Sequence, residues 1–272
     1  MVALSMPSLR TRKVDAGAAP LVMVTAYDAP GARLVDDAGV DIILVGDSLA
    51  MVVLGYADTL QVTVEDVARH TAAVSRSSPR AFVVADMPWL SYHLSPADTV
   101  RNAGALVRAG AAAVKLEGGR RRVSMVEALV AAEIPVMGHV GLTPQSVPVM
   151  GGFKVQGRKA DAADTLVEDA LALVDAGVFA IVVEGVPAGL GARLTEAVPV
   201  PTIGIGAGPH CDGQVLVFHD LLGLDERPAP RFVRRYASLK DEGTRAVAAF
   251  AADVRSGAFP STEESYGTGG EA

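Results

Sequence analysis

A single cysteine, Cys211, leaves this chain without an internal disulfide, which excludes a disulfide-stapled secreted scaffold and points to a reducing compartment. Positive charge is not in excess either. Lys and Arg number 24 against 31 Asp and Glu, a net charge of −7, and no basic run is long enough to neutralise a row of phosphates. Nucleic acid is therefore not an expected partner. Long apolar helices are missing as well. The longest charge-free stretch, 134–153, could span a bilayer by length, but Pro135, Pro144, Pro148 and several glycines break it and His139 lies within it. The start, MVALSMPSLRTRK, sets its basic residues after a short apolar run, the reverse of a secretory signal. The expectation is a soluble cytoplasmic protein with no membrane partner.

What the chain does have is apolar residues, at half of its length, enough for a sizeable core. They fall in short β-branched runs alternating with longer alanine-rich stretches of helical period, the pattern of βα units around a parallel sheet. The runs are 21–25, 41–47, 81–86, 112–117, 134–141, 179–185, 200–206 and 213–220. Most are apolar throughout, as expected of strands buried on both faces. Amphipathic helices are expected at 28–39, 64–77, 96–109, 120–132, 160–176 and 187–197, with Gly110 and Gly177 as left-handed stops. Eight strands with intervening helices predict an α/β fold of the (β/α)₈ barrel type. The rival, a doubly wound open sheet, calls for a Gly-rich phosphate turn after the first strand, and TAYDAP (25–30) has no glycine. The expected organisation is one catalytic barrel over 1–260 with a short N-terminal cap, then a disordered tail over 261–272. The stretches 48–62 and 141–158 are long for βα connections and read as lids or binding loops.

Acidic residues close four of the apolar runs: Asp47, Asp86, Glu117 and Glu184; His139 sits near the end of a fifth. In a parallel barrel such positions share the C-terminal rim, where active sites are built. Any one of these carboxylates could simply cap a helix or pair with an arginine. Several on one rim repel one another unless a cation sits among them, and oxygen donors without thiolates suit Mg²⁺ better than zinc. Lys115 and Glu117, two apart on one strand, point to the same face. The lysine there could hold an anionic substrate, form a Schiff base or make a buried salt bridge; neighbouring carboxylates keep it charged and favour anion binding over the Schiff base. The Gly-rich turn 204–208 follows the seventh strand, where many barrels bind phosphate, although small residues there also serve tight turns or close backbone approach.

The segments VGDSLAM (45–51), VTVEDVARHTAAV (62–74), VADMPW (84–89), AGAAAVKLEGG (109–119), GHVGLTPQSV (138–147), GGFKVQGR (151–158), VVEGVP (182–187) and IGIGAG (203–208) together resemble the ketopantoate hydroxymethyltransferase family, in order along nearly the whole chain. Two positions depart from the family pattern: Ala50 stands where glycine is expected and Gly185 where cysteine is expected. The resemblance implies a barrel of the phosphoenolpyruvate/pyruvate type. It also implies Mg²⁺-dependent transfer of a hydroxymethyl group from 5,10-methylenetetrahydrofolate to a small 2-oxo acid, 3-methyl-2-oxobutanoate, giving 2-dehydropantoate for pantothenate synthesis. By that similarity Asp47, Asp86 and Glu117 hold the metal, while Asp47, Ser48, Asp86, Lys115 and His139 contact the 2-oxo acid. Glu184 is the proton acceptor. Folate is then expected between the loops 48–62 and 141–158, the Gly-rich turn reads as close backbone approach rather than a phosphate site, and the resemblance further implies self-association as a homodecamer. The rivals are a lyase or mutase of the same barrel class and a non-catalytic barrel that only binds.

Overall fold

A computed structural model of the protein describes residues 4–224 and 229–266. Each apolar run supplies one strand: β1 Leu21–Thr25, β2 Ile42–Val45, β3 Phe82–Asp86, β4 Ala113–Glu117, β5 Val136–Gly141, β6 Ala180–Glu184, β7 Thr202–Ile205 and β8 Gly213–Leu216. All neighbours pair in parallel, in chain order, and β1 pairs with β8, so the sheet closes into a barrel. The open-sheet alternative is excluded by that closure, because a doubly wound sheet keeps two edges.

The helices are α1 Met6–Arg10, α2 Ala29–Asp37, α3 Leu49–Val52, α4 Val64–Ser75, α5 Pro96–Arg108, α6 Val123–Ala131, α7 Val147–Met150, α8 Ala160–Asp175 and α9 Ala188–Ala197. Local sequence explains where the long ones begin and end. Asp28, Thr63 and Ser95 cap α2, α4 and α5 with side-chain oxygens, and Asp66 returns a bond to the Thr63 backbone. Gly110 and Gly177 follow α5 and α8 with φ of +108° and +103°, the expected left-handed stops.

Alternation along the strands builds the interior. Leu21, Met23, Ile42, Leu44, Phe82, Val84, Ala113, Met137, Ala180, Val182, Ile203 and Val215 turn inward to one buried cluster, which Leu9 of α1 joins. The segment between α1 and β1 is tied to the start of β8 by a buried ion pair, Lys13 Nζ to Asp212 Oδ2 at 2.9 Å. Asp212 also accepts from the backbone N–H of Val14 and Thr202. Removing this carboxylate strands a buried ammonium and two N–H groups, so Asp212→Ala is expected to cost about 3–5 kcal/mol in urea unfolding. A loss below about 1 kcal/mol would show that this tie contributes nothing to stability.

One expectation is corrected in detail and another gains a packing partner. The run 213–220 is not one strand: β8 ends at Leu216 and Phe218–Leu222 is helical. The Phe218 N–H donates to the Thr25 side chain at 2.9 Å instead of to a neighbouring strand. The Gly-rich turn after β7 makes a close backbone approach to α9. A Cβ on Gly208 would lie 2.5 Å from Ala188, and one on Gly191 would lie 2.1 Å from the Ala207 carbonyl oxygen.

The chain forms two compact units, one running to Phe218 and one from His219. The main element of the second is a helix, Leu239–Ser256, with Asp241 and Glu242 in its first turn and Arg255 in its last, charges that complement the helix dipole. Of the tail expected over 261–272, residues 261–266 are exposed, and 267–272 lie outside the described residues. Among the described residues no helix is long and apolar enough to cross a membrane.

Candidate active site

Further along the strands, the inward positions that were apolar become polar. Val84 is followed two residues on by Asp86, Ala113 by Lys115 and Glu117, Met137 by His139, and Val182 by Glu184. Asp47 and Ser48 come from the turn just after β2. Strand stagger sets these groups side by side, pairing Asp86 with Lys115 and Glu117 with His139 in register. All seven residues expected from the sequence line one pocket of about 110 Å³. The polar arc comes from β2 to β6, while Ile205, Val215 and Val217 make the facing arc apolar. That volume suits a small organic acid.

The contacts form a chain of charge. Lys115 Nζ lies 2.8 Å from Asp86 Oδ1 and 3.3 Å from His139 Nδ1. His139 Nδ1 is 3.4 Å from Glu117 Oε1, and its Nε2 is 3.2 Å from Glu184 Oε2 but off the line of a hydrogen bond. Asp86 Oδ2 accepts from the Asp47 backbone N–H at 3.0 Å. Asp47, Asp86, Lys115, Glu117 and His139 are buried, and Glu184 is slightly more open.

Burial and proximity set the protonation of each group. Burial and the charges of Asp86 and Glu117 hold the Asp47 carboxyl well above the usual range. Burial raises Asp86 too, with the Lys115 ammonium pulling against it. Burial pulls Lys115 down, but Asp86, Glu117 and Asp47 outweigh it and keep the ammonium charged. Burial pushes Glu117 up, yet His139 and Lys115 bring it below the ordinary carboxylate value. Burial and Lys115 press on His139, and its contacts to Glu117 and Glu184 overcome them, so the imidazole is pushed up to about 9. A lysine held this firmly charged is no Schiff-base nucleophile. Its ammonium makes the salt bridge to Asp86 and forms part of the pocket wall at once.

Sequence reasoning missed Gln145. It lies in the loop after β5, buried, and its Nε2 donates to Asp47 Oδ2 at 2.8 Å. No periodicity marks it, and the one available signal was a polar side chain in a loop too long for a simple connection. Tyr92, in the loop after β3, is buried and donates to Gln145 Oε1 at 2.6 Å. Tyr27, unassigned from sequence, has its hydroxyl 2.8 Å from Ser48 Oγ.

Asp47, Asp86 and Glu117 offer buried oxygen donors with no thiolate nearby, and two of them are strained upward by mutual charge and burial. That donor set fits a hard divalent cation. Among the described residues no three His, Cys, Asp or Glu side chains already stand in a metal-holding arrangement. Gln145 takes up Oδ2 of Asp47, and Lys115 takes up Oδ1 of Asp86.

Residues 4–262 match the family model for ketopantoate hydroxymethyltransferase. A 3-methyl-2-oxobutanoate hydroxymethyltransferase from Methylobacterium sp. (strain 4-46) is 61% identical over 246 residues, 90% of this chain and 85% of that protein. One from Pyrobaculum arsenaticum is 56% identical over 260 residues, 95% and 98% of the two chains. Among solved structures, 2,3-dimethylmalate lyase, a member of the PEP mutase/isocitrate lyase superfamily, superposes with a TM-score of 0.62 at 20% identity, covering 97% of this chain and 92% of that one. A phosphonopyruvate hydrolase complex with oxalate and Mg²⁺ gives 0.62 at 15% identity, covering 97% and 93%. At those identities the structures speak to the fold alone, a closed (β/α)₈ barrel.

Proposed function

Since the chain belongs to the ketopantoate hydroxymethyltransferase family, we propose that it moves a hydroxymethyl group from 5,10-methylenetetrahydrofolate to 3-methyl-2-oxobutanoate, yielding 2-dehydropantoate and tetrahydrofolate. The observation that carries this reading is the division of the pocket. A lysine ammonium stands among three buried carboxylates, and a fourth carboxylate, Glu184, stands beyond His139.

Asp47 and Asp86, with Glu117, are the groups that would hold Mg²⁺. When bound, that ion would supply Lewis acidity toward the keto and carboxylate oxygens of the acid. Lys115 and Ser48 bind and orient the acid, the ammonium meeting its carboxylate and the hydroxyl offering one hydrogen bond. The apolar arc of Ile205, Val215 and Val217 accepts the two methyl groups. Glu184 takes the proton from C3, and the C–H electron pair moves toward the keto oxygen to give an enolate. His139, charged at neutral pH, holds Glu184 by attraction on one side and Glu117 on the other. The folate methylene carbon, delivered as the iminium or as formaldehyde, loses both of its C–N bonds, gains a C–C bond to the enolate carbon and takes its hydroxyl oxygen from water; the C3 proton and the two water protons end on the new hydroxyl and on the two freed nitrogens of tetrahydrofolate. The loops 48–62 and 141–158 are the walls proposed for folate. Cytoplasmic location and self-association as a homodecamer belong to the same reading and rest on family membership.

The test separates enolisation from transfer. In D₂O with Mg²⁺ and no folate, the enzyme is expected to erase the C3 proton signal of 3-methyl-2-oxobutanoate in NMR spectra, and to make 2-dehydropantoate once 5,10-methylenetetrahydrofolate is added. Exchange no faster than in buffer would overturn the mechanism, and exchange without product would overturn the transfer.

A further inference from the structure

Gln145 is a loop residue with the burial of a strand residue, 4% exposed, and its amide is spent entirely on the pocket. Its Nε2 donates to Asp47 Oδ2 at 2.8 Å and to the Met87 carbonyl oxygen at 3.0 Å. Its Oε1 accepts from the Tyr92 hydroxyl at 2.6 Å. Its backbone N–H donates to Glu117 Oε2 at 3.0 Å, and the Glu117 N–H in turn donates to the Tyr92 oxygen at 3.2 Å. One residue thus joins the ends of β2, β3 and β4 to the loop that follows β5. Only a primary amide offers two donors and an acceptor in this fork. A carboxylate of the same shape would set oxygen against Asp47 and the Met87 carbonyl, and a thioether would take the amide donor from both of these and the acceptor from the Tyr92 O–H.

We propose that Gln145 is a positioning residue for the cation site. It takes Oδ2 of Asp47 and Oε2 of Glu117, so that Oδ1 of Asp47 is the oxygen its amide leaves for a metal. The inference rests on the reading of Asp47 and Glu117 as metal ligands. Partners that orient a ligand typically change metal affinity by about 10–100-fold when removed. Because these bonds also seat the 141–158 loop, the cation and the loop are linked. Seating the loop tightens the cation, and the cation must seat the loop to the same degree.

The test uses the full-length protein stripped with EDTA and titrated with Mn²⁺ alone, free ion being read by electron paramagnetic resonance. Amide hydrogen exchange over 141–158 is followed with and without the metal. The wild type is expected to bind one Mn²⁺ per chain and to slow exchange in that loop. Gln145→Met is expected to bind about 10–100-fold more weakly, with the loop's exchange no longer responding to metal. A folded Gln145→Met that binds within twofold of wild type overturns the proposal. Absence of Mn²⁺ binding by the wild type itself overturns the metal reading on which it rests. Should Gln145→Met fail to give a native near-ultraviolet circular dichroism spectrum, Tyr92→Phe decides. It removes the hydroxyl that Gln145 Oε1 accepts from and that the Glu117 N–H donates to, is expected to weaken Mn²⁺ at least threefold, and refutes the proposal if affinity and loop exchange stay as in wild type.

Discussion

Glu184→Gln is expected to slow deuterium exchange at C3 of 3-methyl-2-oxobutanoate by about 10²–10⁴-fold, the range a positioned general base contributes. The amide keeps the shape of the side chain and its place beside His139, 3.2 Å away in the native protein, but cannot accept a proton. Glu184 meets His139, while Asp47, Asp86 and Lys115 are held by one another and by Gln145, so Mn²⁺ titration and binding of the 2-oxo acid should change little. A structural role for Glu184 would move stability and binding and leave exchange alone, which is the reverse pattern. Exchange by the variant within about threefold of wild type would remove Glu184 as the base, and full retention of every activity would favour a barrel that merely binds.

Replacing Lys115 by methionine is expected to cost about 3–5 kcal/mol of stability at pH 7 in metal-free protein, because buried carboxylates lose the ammonium among them. The native ion pair to Asp86 is 2.8 Å long, and both side chains are almost wholly buried. The pH dependence has a definite sign. Asp47 and Asp86 already titrate above their ordinary value, so in each case the charged form is the one folding disfavours. Stability tied to such a group is full below its unfolded pKa and falls as pH rises through the folded one. Loss of Lys115 raises both further, so the deficit relative to wild type should shrink as pH falls from 7 toward 5 and the carboxylates protonate. Urea unfolding at the two pH values reads this directly. An equal deficit at both would mean that lost packing of the lysine stem, not charge, carries the effect. The same variant should also raise KM for the 2-oxo acid, since the anion loses its cationic partner.

How far the sequence spoke depended on whether a residue's role was periodic. The eight strands were legible because burial on both faces leaves an unbroken apolar run. The polar layer was legible because Asp86, Glu117 and Glu184 each close such a run, and Lys115 shares the inward phase of Glu117. Ser48 was carried only by the family resemblance. Gln145 was invisible because its position comes from the path of a loop over the barrel mouth, which no local period encodes. The end of β8 was overrun for a related reason. Val217 and Phe218 are as apolar as the strand before them, and a single bond from the Phe218 N–H to the Thr25 side chain turns the backbone away. The glycines after β7 were legible as a close backbone approach, but the partner α9 was not, because only the tertiary fold brings it there.

The polar arc is drawn from five consecutive strands, β2 to β6, and its members become neighbours only through the stagger between those strands. Its chemistry therefore has no portable fragment: no single peptide or loop lifted from this chain carries enough of it to be grafted onto another scaffold.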